Sequence, residues 1–332
     1  MSKELVYHLL REKAGEYVSG EEISRQAGIS RAAVWKAVDS LRKAGYTIHA
    51  RTGLGYALIE APDALSEREI GGRLQTMGID IPRLICLEEI DSTNSYLKRL
   101  ALEGAPHGTV AVANFQSGGR GRTTRTFLSP RDKGIYLSIL LRPALLPEQL
   151  LPVTALTAVV MCDAIENTCG VRPEIKWTND LVLGKKKITG ILTELALEGE
   201  TGLVQSLVIG VGVNVHHTAE DFTPEVAAMA TSLSAELCRS VSRPQLAAEM
   251  TAALWRLADD LGGDLSPYLT AYRRDCLTLG QEVQLLQNGG REVVYAEDVD
   301  EQFGLIVRHR DGSRSTVRSG EVSVRGLYGY VE

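Results

Sequence analysis

Between Ser19 and Gly45 the chain carries start and stop signals for two helices in quick succession, and this punctuation fixes the N-terminal fold more tightly than any other stretch. Ser19-Gly-Glu-Glu22 reads as a capped start, with a side-chain oxygen at the N-cap and a carboxylate three residues on, the spacing of a capping box. The spacing predicts a short helix over 21–27, ended by Gly28. Ser30 then caps a longer helix whose apolar positions are Ala33, Val34, Ala37, Val38 and Leu41, and Gly45 stands where a left-handed C′ residue is wanted. With Leu5, Leu9 and Leu10 at helical spacing upstream, this is a helix-turn-helix. Alternation over 46–51, a Gly53-Leu-Gly55 turn and a returning run over 56–59 add a hairpin wing.

Charge gives that unit a direction. The whole chain of 332 residues has Lys+Arg 36 against Asp+Glu 42 and a formal charge of −6. From Ser24 to Ile59, however, Arg25, Arg31, Lys36, Arg42, Lys43 and Arg51 face Asp39 alone. Ser30, Arg31, Ala32, Trp35 and Lys36 open the second helix, where base edges and phosphates of a major groove would meet them.

Composition excludes several classes. With 44% hydrophobic and 23% charged residues the chain is neither disordered nor fibrous. The N-terminus lacks the uninterrupted apolar core of a signal peptide, and no apolar run approaches the length of a membrane span. The five cysteines contain no C-x-x-C pair and no adjacent His cluster. They read as buried free thiols in a reducing cytoplasm, and no metal site is expected.

Ala61-Pro-Asp-Ala-Leu65 is a linker, and Ser66 caps a helix to Leu74. Residues 84–275 alternate strands (84–87, 109–115, 134–141, 174–177, 188–197, 205–213) with helices (92–102, 150–169, 244–262, 265–277). This predicts an α+β domain with its helices on one sheet face. After Gly280 the pattern changes to short strands separated by Asn288-Gly-Gly and Asp311-Gly turns, a small β-domain.

Four stretches carry chemistry. Ser117-Gly-Gly-Arg-Gly-Arg-Thr-Thr-Arg-Thr-Phe127 interleaves arginine with glycine after a strand: glycine admits close backbone approach, and arginine forks bind phosphate or carboxylate. It is neither a dinucleotide fingerprint nor a Walker loop. Glu174 to Gly190 contains Asn179-Asp180 and Lys185-Lys-Lys187; Lys185 and Lys186 read as solvated, whereas Lys187 abuts apolar Ile188 and is placed to neutralise a carboxylate or phosphate. Glu89-Ile-Asp-Ser-Thr-Asn94 opens a helix, with Asp91 or Ser92 as cap. Gly210-Val-Gly-Val-Asn214 is an apolar strand with room either for a flat ligand or for close chain packing.

These stretches, in this order, resemble the biotin protein ligases, whose hallmarks Gly-Arg-Gly-Arg-x-x-Arg-x-Trp and Lys-Trp-Pro-Asn-Asp-Leu stand here as Gly119 to Phe127 and Lys176 to Leu181. Phe127 replaces Trp and Thr178 replaces Pro; neither departure removes a charged or polar group. With the N-terminal and C-terminal units the likeness spans nearly the whole chain and points to the bifunctional subgroup, ligase plus biotin operon repressor. It implies a multidomain α+β protein: a winged helix-turn-helix (1–62), a class II synthetase-like biotin/ATP domain (63–277) and an SH3-like β-barrel (278–332). It implies biotin, ATP and Mg²⁺, a two-step reaction through biotinyl-5′-AMP, a biotin carboxyl carrier protein and operator DNA as partners, and a homodimer in the biotinyl-AMP-bound state.

By the same resemblance Ser92, Thr93, Asn94 and Gln116 serve the ureido head, and Arg120, Gly121 and Arg122 the loop over the adenylate. Lys187 serves the carboxylate and α-phosphate, Asn214 the nucleotide, Gly190 and Gly212 the biotin channel, Asp180 the acceptor amine, and Arg325 reaches back to ATP. Arg122, Lys187, Asp180 and Arg325 are the catalytic candidates; Arg120, Arg122, Lys187, Asn214 and Arg325 are those for ATP. Two other functions compete: a biotin-sensing repressor without ligase activity, which the intact Gly-Arg loop and Lys187 disfavour, and a lipoate or octanoyl ligase, which the helix-turn-helix and the Lys-Trp-x-Asn-Asp stretch disfavour.

Overall fold

The computed structural model describes residues 2–122, 125–200, 202–287, 290–318 and 323–326. It divides into two compact units, Met1–Ala64 and Leu65–Glu332.

In the first unit, α1 (Ser2–Glu12), α2 (Gly20–Ala27) and α3 (Arg31–Lys43) precede the hairpin β1 (Thr47–Arg51) and β2 (Gly55–Glu60). Both serine caps form: Ser19 Oγ accepts the Glu22 amide at 3.0 Å, and Ser30 Oγ accepts the Ala33 amide at 3.2 Å. Only half of the expected capping box is made, because the Glu22 carboxylate turns outward to Lys13 (3.0 Å) and Gln26 (3.1 Å). Val6, Leu10, Ile23, Val34, Val38 and Leu41 close a core over the first wing strand, Ile48. Gly55 has φ +105°, and a Cβ there would collide with the Val18 carbonyl, so only glycine lets the wing root pack against the segment before α2.

The second unit contains α4 (Glu67–Thr76), β3 (Arg83–Leu87), α5 (Thr93–Leu102), β4 (Thr109–Ala113), β5 (Gly134–Leu141) and α6 (Val153–Cys169). It continues with β6 (Glu174–Lys176), β7 (Asp180–Leu183), β8 (Lys186–Leu197), β9 (Val204–Asn214), α7 (Pro224–Ala227), α8 (Leu233–Leu237), α9 (Arg243–Asp260) and α10 (Ser266–Asp275). The strands form one seven-stranded sheet in the order β3-β4-β5-β9-β8-β7-β6, with β3 and β4 parallel and the other neighbours antiparallel. The parallel pair follows from the crossover helix α5 between them.

Strand alternation sorts the two faces. Ile135, Leu137, Ile139 and Leu141 of β5 join Leu207, Ile209, Val211 and Val213 of β9 in the core beneath α6 and α9. Ala111, Leu140 and Val208 point the other way and meet Leu97 and Leu100 of α5. The expectation that helices lie on one face is therefore corrected: α5 covers part of the opposite face and leaves the rest for the site. One local bound also changes: β8 starts at Lys186, two residues before the expected strand, while Asp180 opens the separate strand β7 and β8 joins β9 as an antiparallel hairpin. The short α7 and α8, capped by Thr223 and Ser232, lie in a stretch for which no element is expected.

The C-terminal strands β10 (Gln281–Gln287), β11 (Gly290–Val299), β12 (Leu305–Arg308), β13 (Arg314–Val317) and β14 (Ser323–Gly326) form a five-stranded antiparallel sheet in the order β13-β12-β11-β10-β14. It shares its core with the larger sheet. Tyr272 meets Phe303 edge-on at 5.3 Å, and the buried Trp177 donates its indole N–H to the Phe303 carbonyl at 2.9 Å.

Of the five cysteines, all free, Cys162, Cys169 and Cys276 are buried, but Cys86 is partly exposed and Cys238 exposed, which corrects a uniformly buried reading. The segment Pro147–Cys169 is long and apolar enough to cross a membrane, yet 78% of its apolar window is buried inside the protein.

Candidate active site

The free part of the sheet face is floored by glycine. Gly190 of β8 lies opposite Gly212 of β9, and Gly210 lies one pleat further along, opposite Leu192. The Phe127 ring rests on the Gly190–Gly212 pair: a Cβ on Gly212 would stand 2.5 Å from its Cε1, and one on Gly190 3.2 Å from its Cε2. Tyr136 holds that ring edge-on at 6.4 Å. Phe127 ends a narrow hairpin in the Gly-Arg loop: its amide donates to Gly119 O at 3.0 Å, Arg120 bridges to Thr126, and the Gly121 amide donates to Arg125 O at 2.7 Å. The tip of that loop, Thr123-Thr124, lies outside the described residues.

One end of the floor is a buried polar network. Gln116 Oε1 accepts both the Thr93 amide (2.8 Å) and the Thr93 hydroxyl (3.1 Å), while Gln116 Nε2 donates to Ser129 Oγ at 2.9 Å. The Ser138 hydroxyl sits 2.7 Å from Thr93 Oγ1 and 2.6 Å from Asn94 Oδ1. Asn94 Nδ2 donates to Leu192 O (3.2 Å) and to Glu194 Oε2 (3.0 Å). Ser92 is the cap of α5, accepting the Ser95 amide at 3.5 Å, and Asp91 instead forms a two-pronged pair with Arg99 at 2.8 and 2.9 Å.

At the other end stand the cations. Lys187 turns onto the site face, with Nζ 2.6 Å from Asp180 Oδ1, while Lys185 and Lys186 are exposed. Arg122 Nη1 donates to Asn179 Oδ1 at 3.2 Å. Burial lowers the Arg122 pKa, Arg125 adding to the effect and Asp180 opposing it, so the guanidinium is held in a partly desolvated pocket. Arg120 parts company with Arg122: it reaches the opposite end, where its Nη1 donates to Glu194 Oε1 at 3.3 Å. The Trp177–Thr178 peptide preceding Asn179 is cis.

Asn214 ends β9 beside this cluster, and its Nδ2 donates to Thr231 O at 3.0 Å. That contact anchors the segment after α7, which pairs with Lys187 through the Lys187 amide to Met229 O (2.8 Å) and the Thr231 amide to Lys187 O (2.9 Å). The backbone of Arg325 lies on β14 opposite Gln284, and its side chain is outside the described residues. In the first unit Ser30, Arg31, Ala32, Trp35 and Lys36 are all exposed at the start of α3; Trp35 is 57% exposed, far more than a core tryptophan.

Sequence reasoning missed Ser138, Ser129 and Glu194, and it singled out Asn179 beside Asp180 without giving it a role. Alternation along the strands could have found Ser138, which shares a face with Gly210, and Glu194, which shares one with Gly190. Ser129 carries no signal of that kind.

Comparison with known proteins finds relatives along nearly the whole chain. The model of the biotin/lipoate A/B protein ligase family matches residues 86–214, and a model described as an HTH domain matches residues 3–57. The bifunctional ligase/repressor BirA of Bacillus spizizenii is 34% identical over 315 residues, covering 94% of this chain and 95% of its own. That of Escherichia coli is 31% identical over 314 residues, covering 94% of each. Among solved structures, the biotin protein ligase of Aquifex aeolicus in complex with biotin and ATP superposes with a TM-score of 0.63 at 27% identity, over 74% of this chain and 100% of the other. A ligase-type sheet and a helix-turn-helix in one chain, matched nearly end to end by such relatives, place this protein in the family of bifunctional biotin ligase/repressors.

Proposed function

We propose that this chain joins biotin to ATP, giving biotinyl-5′-AMP, passes the biotinyl group to a lysine of a biotin carboxyl carrier protein, and uses the same adenylate as corepressor. The observation that carries this reading is the polarity of the glycine floor. A hydrogen-bonding network of Thr93, Asn94, Gln116 and Ser138, backed by the paired carboxylate of Glu194, stands at one end, and Arg122, Lys187 and Asp180 gather at the other. Gly190 and Glu194 are four positions apart on β8, roughly 13 Å at the usual strand rise, a span suited to an extended molecule with a polar head and an anionic tail.

The first step brings two anions together. The biotin carboxylate attacks the α-phosphorus of ATP, a P–O bond forms, and pyrophosphate leaves. Arg122 and Lys187 are assigned to this charge, acting where water is partly excluded. The Lys187 ammonium has three protons, so it can keep Asp180 and still donate to a ligand. In the second step the acceptor amine attacks the acyl carbon and AMP departs. Asp180 is the proposed orienter of that amine, and the Gly119–Phe127 hairpin, with Arg120 and Gly121, the cover that keeps water from the anhydride. Asn214 and Arg325 are assigned to the nucleotide, Ser92 to the ureido head, and Gly190 and Gly212 to the channel. Mg²⁺ is proposed as the counter-ion that ATP carries; among the described residues no group of three or more His, Cys, Asp or Glu side chains is placed to hold a metal ion, and no step is assigned to one.

The working division is a DNA-reading unit at 1–62, a synthetase-like catalytic unit at 63–277 and a C-terminal unit at 278–332 whose sheet closes as an SH3-like barrel. Arg31, Trp35 and Lys36, with Ser30 and Ala32, are proposed to meet operator DNA, two copies acting as an adenylate-bound homodimer. The protein is proposed to work in the cytoplasm.

The test is carrier labelling read by intact mass with ATP, Mg²⁺ and biotin, alongside an operator footprint titrated with and without adenylate. A single biotin-sized addition that needs ATP is expected. Binding of biotin without transfer would make the protein a sensor only, and no binding of biotin would overturn the assignment.

A further inference from the structure

We propose that Glu194 is a positioning residue that fixes the acceptor and donor directions of the head-group network and ties the root of the Gly-Arg loop to it. The inference rests on the ligase reading above. Glu194 stands on β8 on the same face as Gly190, and its side chain is only 17% exposed. A half-buried carboxylate on the face assigned to an anionic substrate is unfavourable unless it is fully engaged. It is: one oxygen accepts Asn94 Nδ2 at 3.0 Å, and the other takes Lys98 Nζ at 2.8 Å and Arg120 Nη1 at 3.3 Å.

Its effect on the network follows from what a carboxylate can do. Ionised, it only accepts, so Asn94 must present its NH₂ to Glu194 and its carbonyl oxygen to Ser138. Ser138 is thereby committed to Asn94 Oδ1 and accepts the Thr93 hydroxyl across their 2.7 Å contact, while Gln116 Oε1 takes the Thr93 amide and Gln116 Nε2 turns to Ser129. One charge at the end of the chain therefore favours one direction for the hydrogen bonds running from Asn94 through Ser138 to the Thr93 hydroxyl. Burial alone would raise the Glu194 pKa, but Lys98, Asn94 and Arg120 outweigh it and keep the carboxyl below its ordinary value, ionised at neutral pH. A glutamine of the same shape could donate as well as accept. The hold on the Asn94 amide would then rest on its 3.2 Å bond to the Leu192 carbonyl alone, and Arg120 would lose its counter-charge.

The experiment is steady-state carrier labelling with the full chain. Glu194→Gln should raise KM for biotin about tenfold, the scale of one lost hydrogen bond to a charged group, with kcat and KM for ATP within about twofold of wild type. In an Asn94→Ala background the same substitution should have little further effect, because the two residues act as one unit. Glu194→Asp, which keeps the charge, should recover part of the biotin KM and serves in place of the glutamine variant if that variant melts early. An unchanged biotin KM in a folded Glu194→Gln protein, or an undiminished effect in the Asn94→Ala background, would overturn the proposal. A wild-type chain that fails to label the carrier would instead overturn the ligase reading.

Discussion

Adding one methyl group to the glycine floor tests the most specific contact in the site. In Gly212→Ala the new Cβ would stand 2.5 Å from Phe127 Cε1 and 2.7 Å from Cζ, well inside van der Waals contact. The ring has little room to yield, because Tyr136 stands edge-on to it at 6.4 Å. Overpacking of this kind costs about 1–3 kcal/mol. For a unit of this size that is a fall in Tm of roughly 3–10 °C, read by differential scanning fluorimetry. Removing the ring should remove the clash, so Phe127→Ala/Gly212→Ala should melt close to Phe127→Ala alone, a coupling of about 1–3 kcal/mol in the double-mutant cycle. The biotin KM should behave differently and stay raised in both backgrounds, because the methyl narrows the proposed channel whether or not the ring is present. Additive melting effects would show that Phe127 does not lie on the glycine pair, and the reasoning about the floor would fail.

Further perturbations probe other parts. His217 is buried and stacked on Phe222 at 5.2 Å, and burial pushes its pKa down to about 4, against an opposing pull from Asp221. A lowered folded-state value means the unfolded chain takes up the proton first, so stability should decline as pH falls from about 6.5 toward 4; His217→Phe should flatten that decline in urea titrations, and an unaltered slope would refute the assignment. Arg122→Ala should release biotinyl-adenylate into solution faster in a rapid-filtration assay, and wild-type release would remove Arg122 from the covering role. Arg31→Ala should weaken operator binding and reduce the slope of log K against log salt by about one, with carrier labelling intact.

Much of this molecule was legible because local chemistry decides it. The serine caps and the glycine stops outline the N-terminal helices without reference to the rest of the chain. The Gly-Arg stretch and Lys187 were readable for a related reason: so much glycine beside arginine, or a lysine placed against an apolar strand, needs a cause. What stayed hidden depends on which strands become neighbours. Glu194 and Asn94 are far apart in the chain, and only the β8–β9 pairing and the crossover helix bring them within a hydrogen bond. The face that α5 covers was misread for the same reason, since near-continuous apolar strands such as β5 give no sign of which side is solvated. Asn214 points at Thr231, a partner that no spacing rule anticipates.

The indole of Trp177 ties the C-terminal unit to the turn that carries Asn179 and Asp180. Its N–H ends on the Phe303 carbonyl and its backbone amide on the Thr278 hydroxyl, and Asn179 and Asp180 follow it along the chain. The turn that presents Asn179 to Arg122 is thus braced from behind by residues of the tail. An engineer who grafts this ligase onto another protein, or trims it to a minimal labelling tool, must carry the tail along. Cut at the change in composition, the shortened enzyme would keep all but one of the side chains assigned to catalysis, losing only Arg325, yet it would lose the Phe303 brace behind the turn that carries Asp180.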